Sequence, residues 1–363
     1  MNKKIGILTF HRALSYGAML QAYALQNFML ELGIDNELVD YTCEYMVNHY
    51  QKDFRVIKGN KIKGIGWNLL TVNSIRKERK TRDEFVSKHF KLSGAYDKNN
   101  IHTVADKYSA FITGSDQVWS PTCVGFDPVY FLNFAKPEQK FSYAASIAAK
   151  TIPDNLKAEY KNRLKDFQAY SVREESGVEI VKDLTGKDAV VNIDPTFLLT
   201  KDKWDKIATD VFNEPYIFLF TVLKPKNLID YALELSQKTG LKVIYLNNTM
   251  RSKDSRITYI DPVTADKFIG LIKNASYICT NSFHGTAFSI IYNKNFIVET
   301  ETGHGRNIRS EELMKRLGLE KRIMNTDTKG DIDALSNWDY VEEQLQVERQ
   351  KSKDYLLTIQ RSI

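Results

Sequence analysis

The feature that most constrains the fold is an alternation of short apolar runs and amphipathic stretches, which occurs twice along the 363 residues. In the first series KKIGILTF is typical of a strand, SYGAMLQAYALQNFMLELG has the apolar spacing of a helix, and NELVDYT is a second strand. Strand, helix and strand within about 40 residues form a βαβ unit, which implies a parallel sheet with a right-handed crossover.

A second alternating series begins near Pro215. Its predicted strands are PYIFLFTVL, LKVIYLNN, ASYICTN and NFIVETE, and its predicted helices are LIDYALELSQKTG, TADKFIGLIKN and FHGTAFSIIYNK. Two doubly wound, Rossmann-like α/β domains follow, with ligands expected in a cleft between them that faces the carboxyl ends of the strands.

We place the first domain at residues 1–205 and the second, donor-binding domain at residues 206–335. The stretch at about 44–105 interrupts the first series, and we expect it to be a basic, helical insertion. Residues 336–363 have the pattern of one long amphipathic C-terminal helix.

Composition excludes several classes of protein. Hydrophobic residues make up 43% and charged residues 26% of the chain, which is too apolar for intrinsic disorder. No uncharged apolar run is long enough to span a bilayer, and MNKKIGILTF lacks the features of a secretory signal. Three cysteines without zinc-ligand spacing are typical of a reducing compartment, so we expect a cytoplasmic protein, with peripheral contact to the inner membrane face as an open possibility.

The basic excess is concentrated in one segment. Residues 51–91 hold twelve Lys or Arg and four Asp or Glu, so this segment carries +8 and the rest of the chain −2. One interpretation is a patch that contacts a membrane surface or a lipid-linked acceptor. The other is a solvated helix, because RKERKTRDEF mixes signs at helical spacing. Nucleic acid is disfavoured, since no nucleic-acid-binding motif accompanies the charge.

The loop after the first strand is not a GxGxxG dinucleotide fingerprint. It places Ser15, Tyr16 and Gly17 at the start of a helix, where free backbone N–H groups attract anions. The alternative is ordinary capping by Ser15.

Two further strand ends carry charged side chains. Asp116 in TGSDQVW is placed to accept hydrogen bonds from a sugar hydroxyl or to act as a base, and the alternative is a capping residue in a tight turn. Arg173 in SVREES is placed to hold a phosphate or carboxylate, and the alternative is a salt bridge to a nearby Glu. Asp194 in DPT is interpreted as a structural turn residue.

The strongest signal is TNSFHGT, which joins a buried strand to an apolar helix. Asn281 and Ser282 are suited to cap that helix, and Gly285 and Thr286 allow an anion to approach its N–H groups. His284 lies in the first turn of this helix, where an imidazole can serve as a general acid near neutral pH.

The stretch ETGHGRNIR follows the next strand and carries Arg306 and Arg309. Either arginine could bind an anion, and the alternative is a solvated loop. Carboxylates and histidines are not clustered at metal-ligand spacing, so we expect no metal site.

These motifs together resemble the polysaccharide pyruvyl transferase family. The matching segments are SYGAMLQAYAL, FITGSDQVWSP, YAASIA, SVREESG, DPTFLL, TNSFHGTAFSIIY and NIRSEELMKRLGL, which occur in order over nearly the whole chain. One departure is Ser15, where the family's first loop typically has Asn before Tyr-Gly.

The resemblance implies a glycosyltransferase-B-like fold. It also implies transfer of a pyruvyl group from phosphoenolpyruvate to a sugar of a cell-surface polysaccharide or its precursor, forming a cyclic ketal without any cofactor. By the same analogy Arg173 binds the donor's phosphate or carboxylate, His284 acts as acid or contacts that anion, and the amides from Ser282 to Thr286 complete the cradle. Our candidate for the base that activates the sugar hydroxyl is Asp116.

Two alternatives remain open at this stage. One is a nucleotide-sugar-dependent glycosyltransferase or epimerase on the same fold, although no ribose-binding acid is evident near TNSFHG. The other is a non-catalytic polysaccharide-assembly protein, which the joint presence of Arg173, Asp116 and His284 argues against.

Overall fold

The computed structural model describes residues 4–46, 61–123, 126–247, 254–300 and 308–363. The chain forms two compact units. Within the described residues, the first unit comprises residues 4–46, 89–199 and 343–363, and the second comprises residues 61–88 and 200–342.

The first unit is built on a parallel sheet. Its strands are β1 (Ile5–Leu8), β2 (Asn36–Tyr41), β3 (Leu92–Tyr96), β4 (Ala110–Thr113), β5 (Lys140–Ser142), β6 (Tyr170–Val172) and β7 (Ala189–Val191). Five of them pair in the order β3-β2-β1-β4-β5, and single parallel bridges continue from β5 to the β6-β7 pair. The strand order therefore reverses between β1 and β4, which is the topological switch point of a Rossmann-like sheet.

The second unit repeats this architecture. Its strands are β8 (Tyr216–Phe220), β9 (Lys242–Leu246), β10 (Ile257–Ile260), β11 (Tyr277–Thr280), β12 (Asn295–Glu299) and β13 (Ile323–Met324). All pair in parallel in the order β10-β9-β8-β11-β12-β13, so the switch point here lies between β8 and β11. Every residue of β8 is buried, as expected for a strand covered on both faces.

Helices lie between most of the strands. They are α1 (Tyr16–Glu31), α2 (Glu44–Met46), α3 (Lys61–His89), α4 (Asp154–Leu164), α5 (Glu175–Thr185), α6 (Lys201–Asp205), α7 (Leu228–Thr239), α8 (Ala265–Asn274), α9 (Phe283–Ile291), α10 (Ile308–Arg316) and α11 (Trp338–Ser362). Among the described residues, no helix is both long and apolar enough to cross a membrane.

The predicted Rossmann-like fold class is confirmed by these two sheets. The stretch 44–105, predicted to be a helical insertion in the first domain, contains α3, whose residues 61–88 belong to the second unit, and β3, which pairs with β2 in the sheet of the first unit. The segment LSGAY has no apolar run, because it forms an edge strand with residues that are largely exposed or half-buried.

The predicted C-terminal helix is α11, and its residues 343–363 belong to the first unit. The Tyr355 hydroxyl donates a 2.8 Å hydrogen bond to the carbonyl of Ser142 at the end of β5. The Arg349 Nε atom donates a 2.7 Å bond to the carbonyl of Phe197. Both contacts fix the helix to the unit that begins the chain.

Candidate active site

The start of α9 stands at the switch point of the second unit, directly after β11. Ser282 has an extended backbone, and its Oγ atom accepts a hydrogen bond from the Gly285 amide, which confirms the predicted cap. Thr280 at the end of β11 donates its hydroxyl to the carbonyl of Phe220 at the end of β8, over 2.7 Å. The two strands of the switch point are thereby joined where the helix begins.

Gly285 is required by this close packing. A Cβ atom at this position would lie 2.4 Å from the Thr280 Oγ atom, well inside van der Waals contact. Thr286 is likewise built into the helix, since its amide and its hydroxyl both donate to the Ser282 carbonyl, at 2.9 and 3.1 Å. The first turn of α9 also contains the amides of Phe283 and His284, which lie at the positively polarised end of the helix.

The side chains of His284 and Arg309 both pack against the ring of Phe283. The imidazole of His284 packs edge-on against the Phe283 ring, with 5.1 Å between centroids. The Arg309 guanidinium, from α10, lies 5.5 Å from the centroid of the same ring. Both polar side chains are more than nine-tenths buried. The structure therefore gathers an imidazole, a guanidinium and a helix N-terminus, the groups that would hold a small anion and transfer a proton to it.

Asn281 has a different local role from the capping that the sequence predicts. Its Oδ1 atom accepts hydrogen bonds from the amides of Val222 and Leu223, and its Nδ2 atom donates to the Leu223 carbonyl. The side chain thus fixes the loop that follows β8, and Ser282 alone of the two caps the helix.

Glu299 is a second residue that fixes this loop, and sequence reasoning missed it. Its carboxylate, at the end of β12, accepts hydrogen bonds from the amides of Lys226 and Asn227. We call residues 221–227 the switch loop. The position of Glu299 at the end of an apolar strand could have indicated this role, because a buried carboxylate needs hydrogen-bond donors.

In the first unit, Asp116 lies in a tight turn after β4, at the other switch point. Gly114 has φ of 142°, and a Cβ atom there would lie 1.9 Å from the Tyr143 carbonyl oxygen, so only glycine fits. Asp116 itself has φ of 66°, which is uncommon for a residue with a side chain. Its Oδ1 atom accepts a 2.8 Å bond from the Gln117 amide, and its side chain is 14% exposed.

Arg173 is brought next to Asp116 but is held by another carboxylate. Its Nη1 atom lies 2.5 Å from Asp194 Oδ2, and its Nη2 atom lies 3.7 Å from Asp116 Oδ1. Burial by itself would lower the pKa of the Arg173 guanidinium, but the charges of Asp194, Asp116 and Glu174 outweigh it and raise that pKa. The salt bridge anticipated as an alternative is therefore present, with Asp194 as the partner instead of a Glu.

Glu174 holds the neighbouring segment YAASIA in place. One carboxylate oxygen accepts from the Ser146 hydroxyl and from the amides of Ile147 and Ala148, at 2.8 to 2.9 Å. The Ser146 amide in turn donates to the Asp116 carbonyl. Glu174 is therefore a positioning residue for the Asp116 turn.

The predicted anion loop at Ser15, Tyr16 and Gly17 forms the N-terminus of α1. Ser15 caps the helix by accepting from the Ala18 amide at 3.4 Å. A residue that the sequence did not single out, Gln21, binds the Thr9 hydroxyl and accepts from the Ser115 amide. Gln21 thereby connects α1 to the turn that carries Asp116.

The candidate residues fall into two groups, one in each unit. Ser15, Tyr16, Gly17, Asp116 and Arg173 belong to the first unit, and Asn281, Ser282, His284, Gly285, Thr286 and Arg309 to the second. Within the part of the chain that is described, no three His, Cys, Asp or Glu side chains are gathered as metal ligands. Arg306 lies outside the described residues.

The basic segment is described only in part, since residues 51–60 lie outside the described ranges. Its second half forms the later turns of α3. Lys77 pairs there with Asp261 over 2.5 Å, and Arg82 is buried and pairs with its neighbour Asp83. The contact of this segment with a membrane or a lipid-linked acceptor stays a prediction.

Two Rossmann-like units of this strand order, with polar residues at both switch points, define a glycosyltransferase-B-like α/β protein. A family model described as polysaccharide pyruvyl transferase matches residues 16–300. The chain therefore belongs to the polysaccharide pyruvyl transferase family. Comparison with curated proteins returned no match.

One solved structure supports the same fold class. The chain is similar to a putative UDP-N-acetylglucosamine 2-epimerase from Listeria monocytogenes, with a TM-score of 0.52 and 10% identity over 98% of this chain and 90% of that chain. A UDP-GlcNAc 2-epimerase from Methanocaldococcus jannaschii, in complex with UDP-GlcNAc and UDP, aligns with a TM-score of 0.47 and 11% identity over 98% of both chains. At 10% identity, the similarity to the Listeria protein is a similarity of fold alone.

Proposed function

We propose that the protein transfers a pyruvyl group from phosphoenolpyruvate to a sugar and closes a cyclic ketal across two hydroxyls. The observation that carries the proposal is the gathering of His284 and Arg309 around Phe283 at the start of α9. Phosphoenolpyruvate is a small trianion, and a guanidinium beside helix N–H groups suits its phosphate and carboxylate. Membership of the family supports the same chemistry.

In the proposed reaction His284 protonates the C3 methylene of phosphoenolpyruvate, and positive charge develops at C2. A sugar hydroxyl adds to C2, and phosphate leaves. A second hydroxyl then closes the ketal. One of the two hydroxyl protons replaces the proton that His284 gave to C3, and the other leaves with the phosphate. We assign Asp116 as the base for the attacking hydroxyl, since its carboxylate is partly exposed in the turn after β4, at the switch point of the first unit.

We assign donor binding to Arg309 and His284 ahead of Arg173. The Arg173 side chain is 3% exposed and already paired with Asp194, so an incoming trianion would meet carboxylates there. In this assignment Arg173 is a positioning residue that orients Asp116. Arg309 instead lies over the Phe283 ring, 5.5 Å from its centroid, at the start of α9.

Thermal unfolding with phosphoenolpyruvate tests the proposal without knowledge of the acceptor. A ligand at 100 times its dissociation constant stabilises the native state by about 2.7 kcal/mol. We expect this stabilisation in the wild type and a much smaller one in His284→Gln. The matched control is His102→Gln, because His102 is exposed in the first unit and should leave the response unchanged.

UDP-N-acetylglucosamine serves as the competing ligand. Stabilisation by UDP-N-acetylglucosamine and not by phosphoenolpyruvate would contradict the proposal and favour a nucleotide-sugar enzyme. If phosphoenolpyruvate stabilised His284→Gln as much as the wild type, His284 would have no part in binding the donor.

A further inference from the structure

Thr300, the residue directly after β12, has a buried hydroxyl that makes no hydrogen bond within the described part of the chain. The residue is 4% exposed, and its Oγ1 atom has no hydrogen-bond partner among the described residues. Its backbone still belongs to the sheet, since the Thr300 amide donates a 2.8 Å hydrogen bond to the Met324 carbonyl in β13. The sheet therefore fixes the backbone of a residue whose polar atom is unpaired.

A buried hydroxyl without a partner destabilises the folded protein. Burial removes the hydrogen bonds that the group makes to water in the unfolded chain, and nothing replaces them. Most buried polar groups in proteins are hydrogen-bonded, and the exceptions call for a specific explanation such as a catalytic role or a bound ion. A valine would occupy nearly the same space at position 300 without this cost, so the hydroxyl indicates a partner that binds from outside the chain.

The alternation of side chains in β12 places Thr300 on one particular face of the sheet. Ile297 packs in a core cluster that contains residues of α7, and Glu299 binds the Asn227 amide just before α7. Successive residues of a strand face opposite sides of the sheet. Val298 and Thr300 therefore lie on the face opposite to α7.

The face on which Thr300 lies is the one covered by α9 and α10. Thr280 of β11 lies there against Gly285 in the first turn of α9, and α10 packs against α9. Thr280 pairs with Val298 in the sheet, so the same register continued by two residues brings Thr300 level with Ser282, the cap of α9. Thr300 thus lies at the carboxyl edge of the sheet, on the side of the candidate active site.

The groups already gathered on this side determine the kind of ligand that would meet the hydroxyl. His284 and Arg309 are the second residues of α9 and α10, and both pack against the Phe283 ring. A guanidinium only donates hydrogen bonds, and the start of a helix attracts negative charge. A ligand that suits both is an anion, to which the Thr300 hydroxyl can also donate.

We propose that the Thr300 hydroxyl binds an anionic oxygen of the ligand held at the start of α9. In the reaction proposed above this ligand is the donor, and Thr300 is a further donor-binding residue. That the anion is phosphoenolpyruvate rests on the proposed function, whereas anion binding at Thr300 does not. The unpaired hydroxyl of the free protein gains its partner when the anion binds.

Calorimetric titration of the full chain with phosphoenolpyruvate tests the proposal. We expect Thr300→Val to bind about ten- to hundredfold more weakly, because a hydrogen bond to a charged acceptor is lost. Thr300→Ser keeps the hydroxyl and should bind nearly as the wild type does. The matched control is Thr239→Val, since the Thr239 hydroxyl donates to the Leu235 carbonyl at the end of α7 and should leave binding unchanged.

Urea unfolding without ligand separates a binding role from a structural one. Thr300→Val should unfold at the same urea concentration as the wild type or at a higher one, because it removes a buried hydroxyl that has no partner. Thr239→Val removes a hydroxyl that has a partner and should gain no stability. A lower midpoint for Thr300→Val would show that the hydroxyl stabilises the fold, which would overturn the proposal.

The titrations also separate this proposal from the proposed function. Equal affinity of Thr300→Val and the wild type for phosphoenolpyruvate, or loss of binding in Thr300→Ser, would overturn the role of Thr300 and leave the proposed function standing. If the wild type does not bind phosphoenolpyruvate, the proposed function fails, and titration with inorganic phosphate and with pyruvate decides the role of Thr300.

Inorganic phosphate and pyruvate each carry one of the two anionic groups of the donor. Binding of phosphate that Thr300→Val weakens supports a contact of the hydroxyl with a phosphate, and the same result with pyruvate supports a contact with a carboxylate. Binding of these anions that is independent of Thr300, or no binding of any of the three ligands at millimolar concentration, would overturn the proposal.

Discussion

At the scale of single residues, buried charges in this protein are balanced by neighbours that are distant in sequence. Arg173 is paired with Asp194, and Glu174 receives three donors from the segment 146–148. Arg322, which is 1% exposed, donates to the carbonyls of Phe296, Ile332 and Ala334. Each arrangement gives a buried charged group partners, which offsets part of the cost of its burial.

Asp40 provides a pH-dependent test at this scale. Burial alone would raise the pKa of its carboxyl, but hydrogen bonds from Arg12 and His11 outweigh burial and hold that pKa well below its usual range. A lowered folded-state pKa stabilises the protein above the unfolded value of about 3.9, and this stabilisation is lost as the pH falls further. We expect Asp40→Asn to lower the free energy of unfolding by about 1–3 kcal/mol at pH 7.

Urea unfolding at pH 7 and pH 3 measures this effect. The difference in the free energy of unfolding between the wild type and Asp40→Asn should narrow at pH 3, because this pH lies below the unfolded-state pKa and the carboxyl of the unfolded wild-type chain takes up a proton there. Asp106→Asn is the control, because that carboxylate is 85% exposed and should matter little at either pH. A difference that is the same at both pH values would refute the role given to the Asp40 charge.

At the scale of elements, the switch loop shows how a connection between a strand and a helix becomes a fixed part of a site. Asn281 and Glu299 lie after β11 and at the end of β12, and together they bind four backbone amides of the loop. Backbone groups held this way open less often to solvent than those of a free loop. The loop therefore presents a defined surface beside the start of α9.

Replacing Asn281 should release the loop. We expect Asn281→Ala to speed amide hydrogen exchange at Val222 and Leu223 by about tenfold or more, because both amides lose their acceptor. Exchange detected by mass spectrometry or NMR reports this directly. Asn274→Ala is the control, since the Asn274 amide donates to the exposed Asp210 carboxylate in the same unit. Unchanged protection at residues 222–223 would show that the Asn281 side chain does not fix the loop.

At the scale of the whole molecule, two units share one strand order, and the end of the chain returns to the unit that began it. The first unit is assembled from three separate stretches, of which residues 343–363 of α11 are the last. Leu345, Leu356 and Ile359 of this helix are buried. The stability of the N-terminal sheet therefore depends on residues more than 200 positions later in the chain, as the bond from Tyr355 to Ser142 shows.

Leu356→Ala tests this dependence. A fully buried leucine replaced by alanine costs about 2–5 kcal/mol in the free energy of unfolding. Leu335→Ala makes the same chemical change at a fully exposed position and should alter the free energy of unfolding by less than about 0.5 kcal/mol. Denaturant unfolding followed by tryptophan fluorescence compares the two, and equal effects would show that α11 adds no core to the first unit.

Local sequence patterns predicted much of this molecule. The alternation of strands and helices, the caps at Ser15 and Ser282, the glycine that ends α7 at Gly240, and the C-terminal helix all follow from residues within a few positions of one another. Helix and strand periodicity, capping and left-handed glycine are local effects, so a sequence displays them directly.

The sequence by itself determined the two series of elements, their parallel arrangement and the strand ends at which polar residues collect. The tertiary structure alone decided which residues meet there: Asp194 with Arg173, Arg309 with Phe283, Asp40 with Arg12, and β3 as an edge strand in a stretch that lacks an apolar run. These pairings join positions separated by 21 or more residues, where no periodicity or capping rule applies. They depend instead on how the helices and strands pack, because buried charges and polar groups must find partners in whatever the fold brings near.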